Sequence, residues 1–177
     1  GSIFGVLYGS CRNLKVDNAT IVATNGCGVI GGYVGTAGKP AVVENVTITN
    51  SSITNSGDRC GGVCGTAKEA TFRNVSFQGT VICTYAEKEA KSGGFVGHTE
   101  TSAVFENCSA DVVVSAKQSD MGGFGGKFTG TVSATGCKVK AVVTSSAALK
   151  NRCGGFLGWN STSSATFTDC HVLKGSS

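Results

Sequence analysis

The chain has 177 residues, of which 27 are glycine and one is proline, and it carries a net charge of +4 with 40% hydrophobic residues. That balance excludes a disordered chain, and the single proline with no Gly-X-Y period excludes collagen. The apolar runs are only a few residues long, which excludes a membrane-spanning helix, and Gly1-Ser2 reads as a cloning remnant on one excised domain, 1–177.

In chain order, a Gly-Gly-Φ-x-Gly element recurs. A degenerate copy, Gly5-Val6-Leu7-Tyr8-Gly9, comes first. It is followed by Gly31-Gly32-Tyr33-Val34-Gly35, Gly61-Gly62-Val63-Cys64-Gly65, Gly93-Gly94-Phe95-Val96-Gly97, Gly122-Gly123-Phe124-Gly125-Gly126 and Gly154-Gly155-Phe156-Leu157-Gly158. The clear copies lie 30, 32, 29 and 32 residues apart. Each is followed by a second pattern, as in Ala70-Thr71-Phe72-Arg73-Asn74-Val75-Ser76-Phe77 and Ala103-Val104-Phe105-Glu106-Asn107-Cys108-Ser109-Ala110. The Ala-x-Phe alternation has period two, the mark of a strand with one buried face, and no helical stripe persists. A helix-free period of this length predicts an all-β, parallel β-helix of about six coils of roughly 30 residues, right-handed by the crossover rule.

Stacked coils turn repeat positions into columns. Four are expected to face inward: Leu7, Tyr33, Val63, Phe95, Phe124 and Phe156; Cys11, Val43, Phe72, Phe105, Ala134 and Phe167; Leu14, Val46, Val75, Cys108, Cys137 and Cys170; and Ile21, Ile53, Val81, Val114 and Val143. The column Asn13, Asn45, Asn74, Asn107, Gly136 and Asp169 holds the residue types that tolerate a left-handed backbone, and is read as a corner, with a buried asparagine ladder as its rival.

These motifs resemble the GLUG repeat, with Gly93-Gly94-Phe95-Val96-Gly97 and Phe105-Glu106-Asn107-Cys108 as the nearest copy, and the resemblance covers nearly the whole chain. It implies a segment of a large secreted or wall-anchored bacterial protein, of the kind that includes adhesin-like proteins and IgA-specific metallopeptidases. It brings no catalytic residues with it. The implied setting is the bacterial cell surface or wall, with neighbouring domains of the same chain and a host glycan or protein as partners.

Nine cysteines leave at least one unpaired in a monomer. Cys11, Cys108, Cys137 and Cys170 sit in apolar columns, where a free thiol packs as a small hydrophobe. Adjacent rungs bring Cys108 with Cys137, or Cys137 with Cys170, near disulfide geometry if their side chains point alike, and Cys27 with Cys60 is the favoured bridge, if one forms. Cys60 and Cys64 lack the spacing and companions of a zinc site, so neither metal nor cofactor is expected. Glycoside cleavage needs two carboxylates held roughly 5–10 Å apart, and none of the eleven acidic residues forms a stacked acidic pair, so no enzyme is expected. No His-Glu-x-x-His is present.

The Thr47-Ile48-Thr49 pattern is not repeated on other coils, which argues against an ice-binding array. The basic stretch Lys117 to Arg152 lacks a stacking platform for nucleic acid. His98 is expected in an exposed loop. Candidate ligand contacts are Trp159, Tyr85 and Tyr8 for sugar stacking, and Lys138 and Lys140 for anionic glycans. The loops Thr36 to Pro40, Thr84 to Lys91, Ser115 to Asp120 and Ser145 to Asn151 are where specificity is expected to sit. The reading is a monomeric stalk with an adhesive surface. Its alternatives are a carbohydrate-binding or carbohydrate-cleaving module and an accessory domain of a surface peptidase.

Overall fold

The computed structural model describes residues 1–86, 89–117, 120–146 and 152–174, and every element among them is a β-strand. Alternation sets the inward face. In Ser109–Ala116 the side chains of Ala110, Val112, Val114 and Ala116 are buried while Asp111 and Val113 face water. One such face cannot be buried by its own coil, so each rung lies in parallel register on the next. The result is an all-β solenoid whose six rungs enclose about five complete turns.

Three of the four expected columns are present. Cys11, Val43, Phe72, Phe105, Ala134 and Phe167 are registered partners through all six rungs. Ile21, Ile53, Val81, Val114 and Val143 form another column. Leu14, Val46 and Val75 lead into Cys108, Cys137 and Cys170.

The remaining column is corrected at its first two rungs. The Ile30 amide donates to Val63 O and the Val63 amide to Phe95 O, so the column runs Ile30, Val63, Phe95, Phe124, Phe156. Tyr33 instead stands opposite Thr66, and Leu7 opposite Val34. Pairing of Cys27 with Cys60 fixes this register, which sets Gly28-Val29-Ile30-Gly31-Gly32 on Gly61-Gly62-Val63-Cys64-Gly65. The conspicuous Gly31-Gly32 pair is therefore the tail of its motif and not its head.

The Gly-Gly-Φ-x-Gly element is a fold-back. The short strands Arg59–Gly61, Lys91–Gly93, Asp120–Gly122 and Arg152–Gly154 make a four-stranded sheet, and the chain doubles back from them. A Cβ on Gly97 would stand 2.7 Å from Cys60 N and Gly65 O and 2.8 Å from Lys91 O, closer than real Cβ atoms come. The glycines let two backbones touch while Φ plugs the core.

The asparagine column is the corner. Asn13, Asn45, Asn74, Asn107, Gly136 and Asp169 take φ of 55°, 54°, 52°, 52°, 65° and 50°. Its amides also stack, but on the outside: Asn45 Nδ2 donates to Asn13 Oδ1 at 3.2 Å and Asn74 Nδ2 to Asn45 Oδ1 at 3.1 Å.

Two phenylalanine stacks fill the later rungs. Phe95, Phe124 and Phe156 stack at 4.7 and 4.9 Å between centroids. The second stack is Phe72, Phe105, Phe128 and Phe167, at 5.2, 5.9 and 6.2 Å. Phe128 belongs to a neighbouring column but swings into the space left by Ala134, and Gly125 makes room for its ring. On the last described rung Phe167 is 42% and Val172 52% exposed.

Candidate ligand-binding surfaces

Two outer surfaces gather polar side chains. The first is a groove of about 350 Å³ along the bend after the Asn corner strands. Gly79, Val112 and Ala141, registered on successive rungs, form its floor. One wall is the registered column Gln78, Asp111 and Lys140, with Asn50 at one end. The other wall is Thr80, Val113 and Val142.

That second wall is the edge of an uncharged face. Thr20, Ser52, Thr80, Val113 and Val142 run beside Val22, Thr54, Ile82, Ser115 and Thr144. Val22 is 70% exposed there.

The second surface is a charged seam beside the fold-back. Arg59, Lys91, Asp120 and Arg152 are registered on the short strands. Tyr33, Thr66, His98, Lys127 and Trp159 are registered on the strands that follow. Arg59 Nη1 donates to Tyr33 Oη at 3.2 Å and to Glu100 Oε1 at 3.1 Å, and Lys68 pairs with the same carboxylate at 3.3 Å. Arg152 Nε donates to the fully buried Asp120 at 2.5 Å, while Asp120 Oδ2 has no partner. Burial raises the Asp120 pKa against the pull of Arg152.

His98 is buried on the strand Val96–Glu106, which corrects its expected place in an exposed loop. Its Nε2 lies 3.3 Å from Thr129 Oγ1 and its Nδ1 3.4 Å from Glu100 Oε1. Burial, reinforced by Arg59, lowers its pKa to about 4.

The candidate contacts do not converge. Trp159 is half-buried in the seam, with Lys127 Nζ 3.8 Å and the Arg152 guanidinium carbon 3.7 Å from its ring centroid. Tyr8 is exposed on the first rung under Lys39 Nζ at 5.1 Å, and Tyr85 is half-buried against the core. Lys138 and Lys140 do share a face of the strand Lys138–Ser145, and Lys140 Nζ lies 3.9 Å from Asp111. Residues 87–88, 118–119 and 147–151, which belong to three of the four expected specificity loops, and Lys150 of the basic stretch, lie outside the described residues.

The acidic side chains are mostly engaged. Arg12, Glu44, Arg73 and Glu106 alternate in one column, paired at 2.9 and 2.6 Å. Asp17 is registered with Thr49 and Asp111 with Gln78, and the register shifts between those two pairs, so Asp17 and Asp111 form no stacked acidic pair. Among the described residues no group of three or more His, Cys, Asp or Glu side chains is placed to hold a metal, and all nine cysteines are free thiols. Cys27 and Cys60 nevertheless face each other across adjacent rungs, as the favoured bridge requires.

The seam was readable in one respect only. The residue two before the Gly-Gly pairs at 61, 93, 122 and 154 is charged, at Arg59, Lys91, Asp120 and Arg152. Its partners come from the strand beyond the fold-back, and that closure appears only in three dimensions.

No protein-family model and no curated protein matches the chain. A solved structure does: a protein of Bacteroides ovatus provisionally named an immunoglobulin A1 protease, with TM-score 0.86 and 26% identity over 98% of this chain. The chain spans 54% of that protein's length. The fold is thus shared with a related β-helix protein, while the GLUG resemblance rests on the motifs alone.

Proposed function

We propose that this chain is a stiff solenoid segment of an exported bacterial surface protein, one that spaces neighbouring domains and offers its groove and seam to a host or glycan ligand. The observation that carries this reading is the match of nearly the whole chain to about half of a longer protein. A domain that repeats one rung along an axis suits a spacer. Support for binding over catalysis comes from the carboxylates. In the groove Asp111 stands alone, and Glu44, Glu106, Glu100 and Asp120 are held by cations. Inverting or retaining glycoside cleavage would need two free carboxylates across a cleft.

A second reading, an accessory domain of a surface peptidase, is favoured by the name given to the structural relative. In either case the segment serves by binding and spacing and not by cleaving its ligand.

The test is a glycan-array and mucin-binding screen of the folded protein, with mass analysis of the glycans afterwards. Saturable binding that is lost in Lys138→Glu/Lys140→Glu places the ligand on the groove face, and loss in Trp159→Ala places it on the seam. Shortened glycans would overturn the non-catalytic reading. A blank with folded protein would leave the spacer role and remove the adhesive one.

A further inference from the structure

We propose that Cys108, Cys137 and Cys170 form a thiol relay, a site of covalent modification at which a disulfide-class oxidant enters at Cys170 and leaves a cross-link between rungs. The three cysteines follow the corner residue on successive rungs, and the Lys138 amide donates to Cys108 O and the His171 amide to Cys137 O, both at 2.9 Å. Each thiol also repeats one hydrogen bond to a carbonyl of the rung before it. Cys108 Sγ donates to Phe72 O at 3.5 Å, Cys137 Sγ to Phe105 O at 3.6 Å and Cys170 Sγ to Ala134 O at 3.4 Å. Identical bonding means identical side-chain direction, so the sulfurs stand in a row. Adjacent rungs in a parallel sheet lie about 4.8 Å apart, inside the Cα separation a disulfide accepts.

Exposure differs along the row. Cys108 and Cys137 are sealed in the core, whereas Cys170 is partly exposed. The sulfur that must attack from inside is also the best prepared. When Cys137 ionises, Cys108 and Cys170 turn their S–H groups from the carbonyls towards it, which favours its thiolate, while burial raises the pKa of both neighbours.

The chemistry is thiol–disulfide exchange. Cys170 attacks a small disulfide, forming a mixed disulfide and releasing one thiol. Cys137 then attacks Cys170 Sγ and expels the second thiol. One external disulfide is reduced to two thiols as the Cys137–Cys170 bond forms. Attack of Cys108 on Cys137 Sγ moves the bond one rung inward and returns Cys170 to the thiol, with no further redox change.

The molecule contains its own controls. Cys27 and Cys60 are paired in register, but the next residues in their column are Ser92 and Met121, so no thiol row links them to the exposed Cys153. Valine already occupies the relay column at Val46 and Val75, so Cys→Val variants there keep the packing.

The experiment treats fully reduced protein with oxidised glutathione, quenches by alkylation at intervals, and maps disulfides by peptide mass spectrometry. In wild type a Cys137–Cys170 bridge appears first and Cys108–Cys137 later, each marked by the loss of two hydrogens. Cys153 carries only a glutathione adduct, and Cys27 and Cys60 stay reduced over the same interval. Cys170→Val slows the Cys108–Cys137 bridge at least about ten-fold. Cys137→Val leaves Cys170 as a stable adduct. Adducts without any bridge in wild type would overturn the cross-link, and an undiminished rate in Cys170→Val would overturn the relay.

Discussion

At the asparagine corner the backbone takes a positive φ on every rung while its side chains point to water and bond one another. At the glycine fold-back two stretches of backbone touch, and no side chain fits between them. The corner asks for a conformation, which Asn, Gly and Asp all supply, and its column contains all three. The fold-back asks for empty space, which glycine alone supplies. Gly32, Gly65, Gly97, Gly126 and Gly158 repeat without exception. A conformational demand therefore tolerates sequence drift, and the steric demand holds throughout this column, although Val29, registered with Gly62, shows that the adjoining glycine column admits a side chain on an early rung.

The sharpest way to break the fold-back is Gly97→Ala, whose methyl meets three backbone atoms of adjacent segments within 2.8 Å. No flexible side chain can yield there, so the variant is expected to lose its cooperative melting transition by circular dichroism.

Next in size is Phe128→Ala, which opens the stack between Phe105 and Phe167. The expected cost is about 3–5 kcal/mol in chemical denaturation. The triple change Gly125→Val/Phe128→Thr/Ala134→Phe copies Val96, Thr99 and Phe105 of the preceding rung and should recover most of that loss. Failure to recover would show that the compensation is not confined to these three positions.

His98 gives the fold-back side a pH dependence. Its pKa drops from 6.5 to about 4 in the folded chain. Between those values the unfolded chain binds a proton that the fold refuses, so stability falls as pH falls. His98→Gln should flatten the difference between urea midpoints measured at about pH 7 and about pH 5.

The smallest effect is expected at the corner. Asn74→Ala keeps a Cβ at φ 52° without the side-chain amide by which asparagine tolerates a left-handed backbone, and it removes one amide of the ladder, for a loss of roughly 1–2 kcal/mol in the same titration. Asn74→Gly should lose less, since glycine already serves at Gly136.

Where repeat position alone fixes a residue's place, the sequence was a sufficient guide. The Phe72 column, the Ile21 column and the Asn corner needed only frame counting. Tyr33 was misplaced because Gly31-Gly32 imitates the head of the motif, and only the Cys27–Cys60 pairing distinguishes head from tail. His98 and the seam were missed for a different reason. Charged columns before and after the fold-back are separated along the chain, and only the close backbone approach at the glycines brings Arg59 to Tyr33 and Arg152 to Trp159. Phe128 escaped because it fills a hole belonging to another column.

The parallel ladder also decides how the molecule would answer a pull. Hydrogen bonds between rungs lie along the solenoid axis, and the chain begins on the first rung and ends on the last. Tension applied through the two termini therefore loads one outer rung at a time, as in unzipping, and does not shear all rungs together. Each rung that lets go releases about 30 residues, or roughly 100 Å of slack. A domain built this way dissipates a tug in steps, and lengthens several-fold before its partner at the far end feels the full force.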